Sequence, residues 1–271
     1  MTRWRNPRLA ARKGATDRAC MINPMKPGRV PLERALSKLG LATRTEARRL
    51  IGDGRVSVHG RTVDDPLMPV VPERAHITID GASAGLTPPV MILLHKPRGT
   101  VTTRRDPDGR KTVYDCLTGL EDHVIPVGRL DAASSGLLLL TNDTRLADWL
   151  TDPVHAIPRT YLVTVRGRLT EEDARLMEAG LTDRGETLRA VRAEILKASG
   201  RETHLRVVLD EGRNREIRRL GDGVGHEVTR LKRIAVGGLE LGDLPAGDWL
   251  RLDDAMLRGA FPGAPIRRGQ T

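Results

Sequence analysis

The strongest pattern in the chain is a run of four leucines, Leu137 to Leu140, bounded by Gly136 and by Thr141-Asn142-Asp143. Four apolar positions in a row are too few for a free-standing helix and lack the alternation of a half-buried strand. The run therefore predicts a strand that is buried on both faces. A polar segment precedes it, so we expect Asp131 on a loop beside rigid core.

Apolar and polar positions near the start of the chain predict a small module of two helices and a hairpin. Apolar residues at helical spacing form the first helix, which Gly40 ends; they are Leu32, Ala35, Leu36 and Leu39. Thr43 and Glu46 form a capping box that begins a second helix, and Gly54 stops it. Alternating segments flank His59-Gly60 as a tight hairpin. Residues 77–80 alternate as a closing strand.

The rest of the chain reads as strands with few helices. Strands are predicted over 90–94, 160–165, 188–196, 204–209 and 228–236, and helices around 146–150, 170–180 and 213–220. Leu231 and Ile234 are expected among the buried positions of the last strand. Because strands and helices do not alternate regularly, the pattern predicts a mixed, largely antiparallel α+β domain.

Composition shifts divide the chain into five segments. They are a disordered basic arm over 1–28, the small module over 29–80, a linker over 81–89, the larger domain over 90–258 and a flexible tail over 259–271. The arginine-rich start also fits an organelle transit peptide, and Met21 and Met25 are alternative starts to Met1.

Charge is concentrated near the N-terminus. The net charge is +10, of which residues 1–28 carry +6 and residues 29–61 carry +5. This segregation predicts binding to a polyanion, most plausibly nucleic acid, without distinguishing RNA from DNA. Cys20 and Cys116 are far apart, which argues against a disulfide framework or a zinc site and fits a reducing cytoplasm. No segment approaches a membrane span.

The string V-G-R-L-D-A-A-S-S-G-L-L-L-L-T-N-D, residues 127–143, resembles the active-site segment of pseudouridine synthases of the RsuA/RluB type. The order L-x-x-A-L-S-K-L-G-L-A-T-R-T-E-A-R-R-L-I-x-x-G-R-V-x-V-x-G is similar to the small RNA-binding module of ribosomal protein S-four. The resemblance covers roughly residues 30–255. It implies a bacterial, cytoplasmic enzyme that acts on rRNA without a cofactor or metal, as a monomer with no membrane attachment.

The resemblance assigns roles to three residues. Asp131 is the expected nucleophile, attacking either the anomeric carbon of the sugar or the uracil ring. Arg218, in the late R-x-I-R motif, is expected to form a salt bridge that keeps Asp131 ionised. Tyr161 is expected to stack on the flipped uracil and to accept a proton. From the residues alone, an Asp in a turn, an Arg on a basic helix and a Tyr at a strand start also fit structural roles.

Further residues are expected to bind RNA. The predicted substrate contacts are Arg129, which would fill the gap left by the flipped nucleotide, Leu231 as a wall of the base pocket, and the basic loop residues Lys96, Arg98, Arg104 and Arg105. The predicted RNA-binding residues of the module are Arg34, Lys38, Arg44, Arg48, Arg49, Arg55 and Arg61. The chain departs from the family pattern at Arg159, Glu216 and Leu220, without losing an expected catalytic group.

Large-subunit rRNA is the predicted substrate, because the run Thr102 to Val113 and the module are most like the RluB type. Small-subunit rRNA and tRNA are alternatives, and the target uridine cannot be read from the chain. A non-catalytic rRNA-binding or ribosome assembly factor is the main alternative of another class. An RNA methyltransferase would need a glycine turn between strand and helix, whereas the glycines at 221–225 follow a helix.

Overall fold

The computed structural model describes residues 28–39, 41–72, 74–83 and 88–267. The basic arm, except Gly28, lies outside them, as do Gly40 and the end of the predicted tail. The first part of the chain forms β1 (Val30–Pro31), α1 (Leu32–Lys38), α2 (Arg44–Gly52), β2 (Val56–Val58), β3 (Arg61–Thr62), β4 (Pro69–Val70), β5 (Ile77–Ile79) and β6 (Ala82–Ser83).

The N-terminal module, residues 29–80, has the predicted two helices and hairpin. Thr43 caps α2, its hydroxyl accepting a hydrogen bond of 3.1 Å from the amide of Glu46. His59 and Gly60 have φ values of +50° and +78°, the backbone that a two-residue hairpin turn requires. The strands pair in the order β3-β2-β5-β6, so the sheet extends to Ser83, into the predicted linker 81–89. Residues 84–87 lie outside the described part.

The larger part follows after Pro88. Its elements are β7 (Met91–Lys96), β8 (Ile125–Pro126), β9 (Ser135–Thr141), α3 (Thr144–Thr151), β10 (Arg159–Arg166), α4 (Glu171–Ala179), β11 (Leu181–Asp183), β12 (Glu186–Leu188), β13 (Arg192–Ala198), β14 (Glu202–Leu209), α5 (Glu216–Gly223), β15 (Val228–Val236), β16 (Leu239–Glu240), β17 (Trp249–Arg251) and α6 (Asp254–Ala260). The main sheet runs β13-β14-β10-β15-β9-β7-β17. Only β15 and β9 pair in parallel among its described neighbours. The predicted mixed, largely antiparallel α+β architecture is confirmed.

The leucine strand β9 lies inside this sheet, between β15 and β7, and is buried on both faces, as predicted. Leu138 and Leu140 belong to the core on one face, which also contains Ile217 and Leu220 of α5. Leu137 and Leu139 belong to the core on the other face, beneath α3 and α6. Because neighbouring residues of a strand point to opposite faces, four successive leucines serve both cores.

Gly136, at the start of β9, lets the parallel strand β15 approach closely. It pairs with Arg233, and a Cβ atom on Gly136 would lie 2.1 Å from the carbonyl oxygen of Arg233. Its φ of +110° is also unfavourable for any L side chain. The chain therefore needs glycine where the segment that follows Asp131 enters the sheet.

We expect Gly136→Ala to destabilise the protein by about 3 kcal/mol, since overpacking and an unfavourable φ act together. Gly200→Ala is the matched control, because no atom lies within 4 Å of a Cβ placed there. Denaturant unfolding of both variants measures the difference. A loss below about 1 kcal/mol for Gly136→Ala would show that β15 can move away at little cost.

Four sequence-based boundaries need correction. The strand predicted over 188–196 is two strands, because Leu188 ends the β11-β12 hairpin and Ala190 turns inward, its amide bonded to the Met177 carbonyl. The helix predicted from Arg213 begins at Glu216, since Arg215 has a left-handed φ of +51°. The strand predicted from His204 begins at Glu202.

The fourth correction concerns the C-terminal end. The predicted flexible tail 259–271 includes the end of α6, and Phe261 is only 1% exposed in the core beneath α6. Arg267 donates a 2.6 Å hydrogen bond to Asp143, the buried cap of α3. Residues 259–267 are therefore part of the folded domain, because their apolar side chains complete one face of the sheet. No helix among the described residues has the length and apolar character to cross a membrane.

Candidate active site

A cavity of about 190 Å³ opens where the loop before β9 meets β10, β15 and the loop before α5. Its charged lining residues are Arg129, Asp131, Arg159, Arg213, Arg215, Glu216 and Arg233, and its large apolar ones include Leu139, Leu150, Tyr161, Leu209, Ile217 and Leu231. The cavity thus brings together four residues predicted for the site: Asp131, Tyr161, Arg129 and Leu231. Arg218 does not line it.

The backbone around Asp131 is held by a buried lysine. Lys96, at the end of β7, is 0% exposed, and its Nζ donates to the carbonyl oxygens of Pro97, Asp131 and Ser134 at 3.0, 3.1 and 2.8 Å. Burial lowers the pKa of Lys96 to about 8, opposed by the charge of Asp131, so the ammonium still carries its proton at neutral pH. The sequence-based expectation that Lys96 contacts RNA is therefore wrong, since the buried ammonium is occupied by the protein backbone.

The loop that follows Lys96 adds two more contacts to the Asp131 segment. The amide of Gly99 donates to the carbonyl of Ala132 at 2.7 Å, and the Thr102 hydroxyl donates to the carbonyl of Leu130 at 2.8 Å. The backbone on both sides of Asp131 is thus fixed while its carboxylate stays 37% exposed toward the cavity. Such a loop presents the carboxylate in one place.

The ion pair of Asp131 is formed by Arg215 instead of Arg218. Arg215 Nη1 lies 3.6 Å from Asp131 Oδ2. Arg218 Nη1 donates to the carbonyl of Val228 at 2.7 Å, so the predicted salt bridge of Arg218 is absent from this structure. Arg215 takes the place expected of Arg218 because its left-handed backbone ends the loop before α5 and brings its side chain next to the Asp131 loop.

Arg218 nevertheless lies close to Asp131. Its Nε and Nη2 are buried without a hydrogen-bond partner in the described structure. Burial and the charge of Arg215 lower the pKa of Arg218, and the negative charge of Asp131 opposes that change. Two unpaired guanidinium donors near a carboxylate are poised for a stronger interaction with it.

Tyr161 and Leu231 lie on adjacent strands at the cavity. Tyr161 is 8% exposed in β10, and its partner across the ladder in β15 is Arg233. Leu231, predicted to be buried, is half-buried, as is Ile234, whereas Val228, Arg233 and Val236 are the buried residues of β15. Register shifts at both ends of the β10-β15 ladder move the buried positions away from simple alternation.

Four arginines at the cavity were not among the predicted site residues: Arg159, Arg213, Arg215 and Arg233. Arg233 is 5% exposed, and its Nε donates to the carbonyl of Leu137 at 2.7 Å. Arg159 donates to four carbonyl oxygens, those of Leu150, Ile157, Asp210 and Glu211, at 3.0 to 3.4 Å. Arg233 could have been predicted from the sequence, because it lies two residues after Leu231 and the two side chains therefore project from the same side of the strand.

Glu216 is a second buried charge at this wall. It is 3% exposed, and its carboxylate accepts a 3.1 Å hydrogen bond from the amide of Arg213. Burial raises the pKa of Glu216. Since Glu216 begins α5, its carboxylate holds the loop that carries Arg213 and Arg215 toward the cavity.

The basic side chains predicted to contact RNA fall into two groups. In the loop after β7, Arg98, Arg104 and Arg105 are all exposed, and the Arg104 guanidinium also lies 4.6 Å from the Tyr114 ring centre and contacts His123. In the module, Arg44 and Arg48 both bind buried Glu33, which lowers the pKa of Glu33 to about 2.

Other arginines of the module are also paired. Arg49 lies 3.7 Å from Asp53, and Arg55 donates to Asp80 at 2.8 Å. Within the described ranges, Arg34, Lys38 and Arg61 have no acidic partner. Among the described residues, the predicted seven-residue surface therefore contains three cations without an acidic partner and four that form ion pairs within the module. Among the described residues, no three metal-ligating side chains cluster as a metal site would require.

Comparisons with known proteins match two families to this chain. The family described as RNA pseudouridylate synthase matches residues 90–220, and the S4 domain matches residues 30–74. A "Ribosomal large subunit pseudouridine synthase B" of Bacillus subtilis (strain 168) is 36% identical over 220 residues, covering 80% of this chain and 89% of the relative. An "Uncharacterized RNA pseudouridine synthase" of Aquifex aeolicus (strain VF5) is 34% identical over 239 residues, covering 88% and 96%.

A solved structure of a pseudouridylate synthase has the same fold. The "Crystal structure of pseudouridylate synthase" aligns with a TM-score of 0.60 and 25% identity, covering 84% of this chain and 98% of that one. The resemblance drawn from the G-R-L-D string is confirmed by sequence relatives that span most of the chain. With a matching synthase domain, an N-terminal S4 domain and relatives that span most of its length, the chain belongs to the family of RNA pseudouridine synthases.

Proposed function

We propose that this enzyme converts a specific uridine of large-subunit rRNA to pseudouridine, with Asp131 as nucleophile and without a cofactor. The observation that carries the proposal is the exposed carboxylate of Asp131, held by the Lys96 contacts at the mouth of a cavity that also contains Tyr161 and Leu231. The printed name of the Bacillus subtilis relative supports the choice of large-subunit rRNA. Small-subunit rRNA and tRNA are the alternative substrates.

The cavity suits a flipped base. A nucleotide turned out of the RNA stack would place its uracil against the Tyr161 ring and the Leu231 side chain, where stacking contributes about 1–3 kcal/mol. That gain is comparable with the few kcal/mol that flipping costs. Arg129, exposed at the rim, would occupy the gap left in the RNA, and the Tyr161 hydroxyl would accept a proton during the reaction.

Asp131 would attack either the anomeric carbon or the uracil ring, and both routes need its ionised form. Arg215 is the cation that pairs with this carboxylate, 3.6 Å away. We infer that Arg218 joins when RNA binds, because its two unpaired donors gain a partner if the carboxylate moves inward. Arg215 would then be released toward the RNA phosphates.

RNA binding would start at the unpaired cations Arg34, Lys38 and Arg61 of the module and at Arg98 and Arg105 near the cavity. The paired residues Arg44, Arg48, Arg49 and Arg55 would add to it from their exposed sides, and Arg104 from its place against Tyr114. We infer a monomer that acts in the cytoplasm on free rRNA or an assembly intermediate.

Deleting the gene should remove one or a few pseudouridines from large-subunit rRNA and leave the others in place. Mapping pseudouridines in rRNA and tRNA from the deletion strain measures this, and returning the wild-type gene should restore the lost site. Loss confined to small-subunit rRNA or tRNA would replace the proposed substrate. If every site remained, the alternative of a non-catalytic rRNA-binding factor would gain support.

A further inference from the structure

Arg233 presents an unused cationic group to the inner wall of the cavity. Its side chain is 5% exposed, and the bond from its Nε to the Leu137 carbonyl fixes the guanidinium. Neither Nη group has a hydrogen-bond or ion-pair partner in the described part of the chain. Unlike the Nε and Nη2 of Arg218, these two groups are not among the completely buried unpaired atoms, and Arg233 lines the cavity.

The other arginines of the cavity already bind protein groups or lie at its rim. Arg159 is taken up by four backbone carbonyls, Arg213 binds Glu211, and Arg215 pairs with Asp131. Arg129 is exposed at the mouth. Burying a guanidinium without an acidic partner is costly, so a functional use is the natural reason to keep Arg233 there.

The position of Arg233 identifies the part of the substrate that it would meet. It is the cross-strand partner of Tyr161 and lies two residues after Leu231, so the three side chains share one side of the sheet. Those neighbours are the groups proposed to hold the uracil. Phosphates of a flipped nucleotide remain near the mouth, whereas the base enters the interior.

The reaction creates negative charge at that place. On the route in which Asp131 attacks the anomeric carbon, a bond from its carboxylate oxygen to C1′ forms as the C1′–N1 bond breaks, and the electron pair of the broken bond stays on the uracil, spread over N1, O2 and O4. The C5–C1′ bond then forms as the Asp131–C1′ bond breaks, C5 loses its proton and N1 gains one, so the carboxylate is regenerated and no atom is gained or lost overall. A fixed donor aimed at developing negative charge accelerates such a step.

We propose that Arg233 is a catalytic residue that binds a carbonyl oxygen of the detached uracil through its Nη groups and stabilises the negative charge of the base. The inference rests on the proposed function and adds a leaving-group role to it. Arg233 thereby acts on the base, whereas Asp131 acts as the nucleophile.

Single-turnover conversion by Arg233→Gln tests this on a synthetic RNA stem-loop that carries the mapped target uridine. We expect a rate about 100-fold below wild type, with the dissociation constant of the RNA changed less than about 3-fold because phosphate contacts are retained. Arg230→Gln, an exposed arginine on the same strand and outside the cavity, is the matched control and should stay near the wild-type rate. Thermal unfolding confirms that each variant is folded.

A second substrate separates charge stabilisation from a structural role. With 5-fluorouridine at the target, the detached base is the more stable anion, so the deficit of Arg233→Gln should shrink at least about 10-fold, corresponding to roughly 1.4 kcal/mol. Because C5 of this base carries fluorine in place of the proton that uridine loses, the reaction stops at the C5-linked isomer or its hydrate. Loss of the N1-linked nucleoside is therefore the quantity compared, followed by nucleoside digestion, chromatography and mass spectrometry. If the Gln variant is unfolded, Arg233→Lys, which keeps the charge but loses the two Nη donors, is used instead. Its rate deficit on uridine is then compared with its rate deficit on 5-fluorouridine.

Two outcomes would overturn the inference. An equal deficit on uridine and 5-fluorouridine would assign Arg233 to the fold alone. A weaker RNA complex with an unchanged rate would make it a phosphate contact. A wild-type enzyme that modifies neither rRNA nor tRNA would instead reject the proposed function itself, which separates the two failures.

Discussion

Asp131→Asn should lower the single-turnover rate of pseudouridine formation by roughly 10⁴-fold or more, since an amide of the same shape cannot act as the nucleophile. Its effect on folding should be small. The ion pair that it breaks joins side chains that are 54% and 37% exposed, and such pairs contribute only about 0–1 kcal/mol. The affinity for RNA should therefore persist while catalysis is lost.

The measurement compares rates on the mapped rRNA fragment with binding of the same fragment. Asp148→Asn is the control, because Asp148 is an exposed carboxylate on the neighbouring helix α3 and lies outside the cavity. In the deletion strain, the Asp131→Asn gene should fail to restore the missing pseudouridine. A residual rate above about 1% of wild type would reject Asp131 as the nucleophile, because loss of a covalent nucleophile costs far more than 100-fold.

Lys96→Ala should be the most destabilising of the substitutions considered, by roughly 4 kcal/mol. It leaves the carbonyls of Pro97, Asp131 and Ser134 without their donor, at about 1–3 kcal/mol each, and opens a cavity beside β7. Removing a buried cation offsets part of this loss. Because the freed carbonyls flank the nucleophile, the rate should also fall at least about 100-fold in the folded protein.

Two comparisons isolate the contribution of the three hydrogen bonds. Lys96→Met fills the same space without a donor, so it should recover the cavity cost and retain the loss of activity. Lys111→Ala removes an exposed lysine from the following loop and should leave the stability unchanged within about 0.5 kcal/mol. Denaturant unfolding and single-turnover rates report both quantities. An active Lys96→Met enzyme would show that the loop holds its geometry without the lysine.

Local signals in the sequence were sufficient for most elements. The leucine run predicted a strand buried on both faces because an unbroken apolar run is visible without knowledge of distant residues. Thr43 and His59-Gly60 were readable for a similar reason, since a helix cap and a hairpin turn depend only on residues a few positions away. The same reasoning failed between Leu188 and Arg192, where Ala190 turns inward against Met177. The strand is interrupted there because the backbone of Ala190 bonds to helix α4, and the alternation of residues within 188–196 contains no sign of that contact.

The site was predictable in its residues and less so in their contacts. Asp131, Tyr161, Arg129 and Leu231 do line one cavity, as the motif resemblance implied. The partner of Asp131 was not predictable, because it depends on the left-handed backbone at Arg215. Lys96 looked like a solvated strand end because its acceptors at Asp131 and Ser134 are 35 and 38 residues away. Burial of a charge depends on such distant acceptors and leaves no local pattern.

The parallel pairing of β9 with β15 determines when the cavity is completed during synthesis. Arg233 and Leu137 are 96 positions apart, so the inner wall forms only after β15 has left the ribosome and joined the sheet. The N-terminal module has a core drawn entirely from residues 30–79 and can fold much earlier. The core of the module can therefore form on a nascent chain before the wall of the cavity is in place, because the pairing of β9 with β15 joins segments far apart in the sequence.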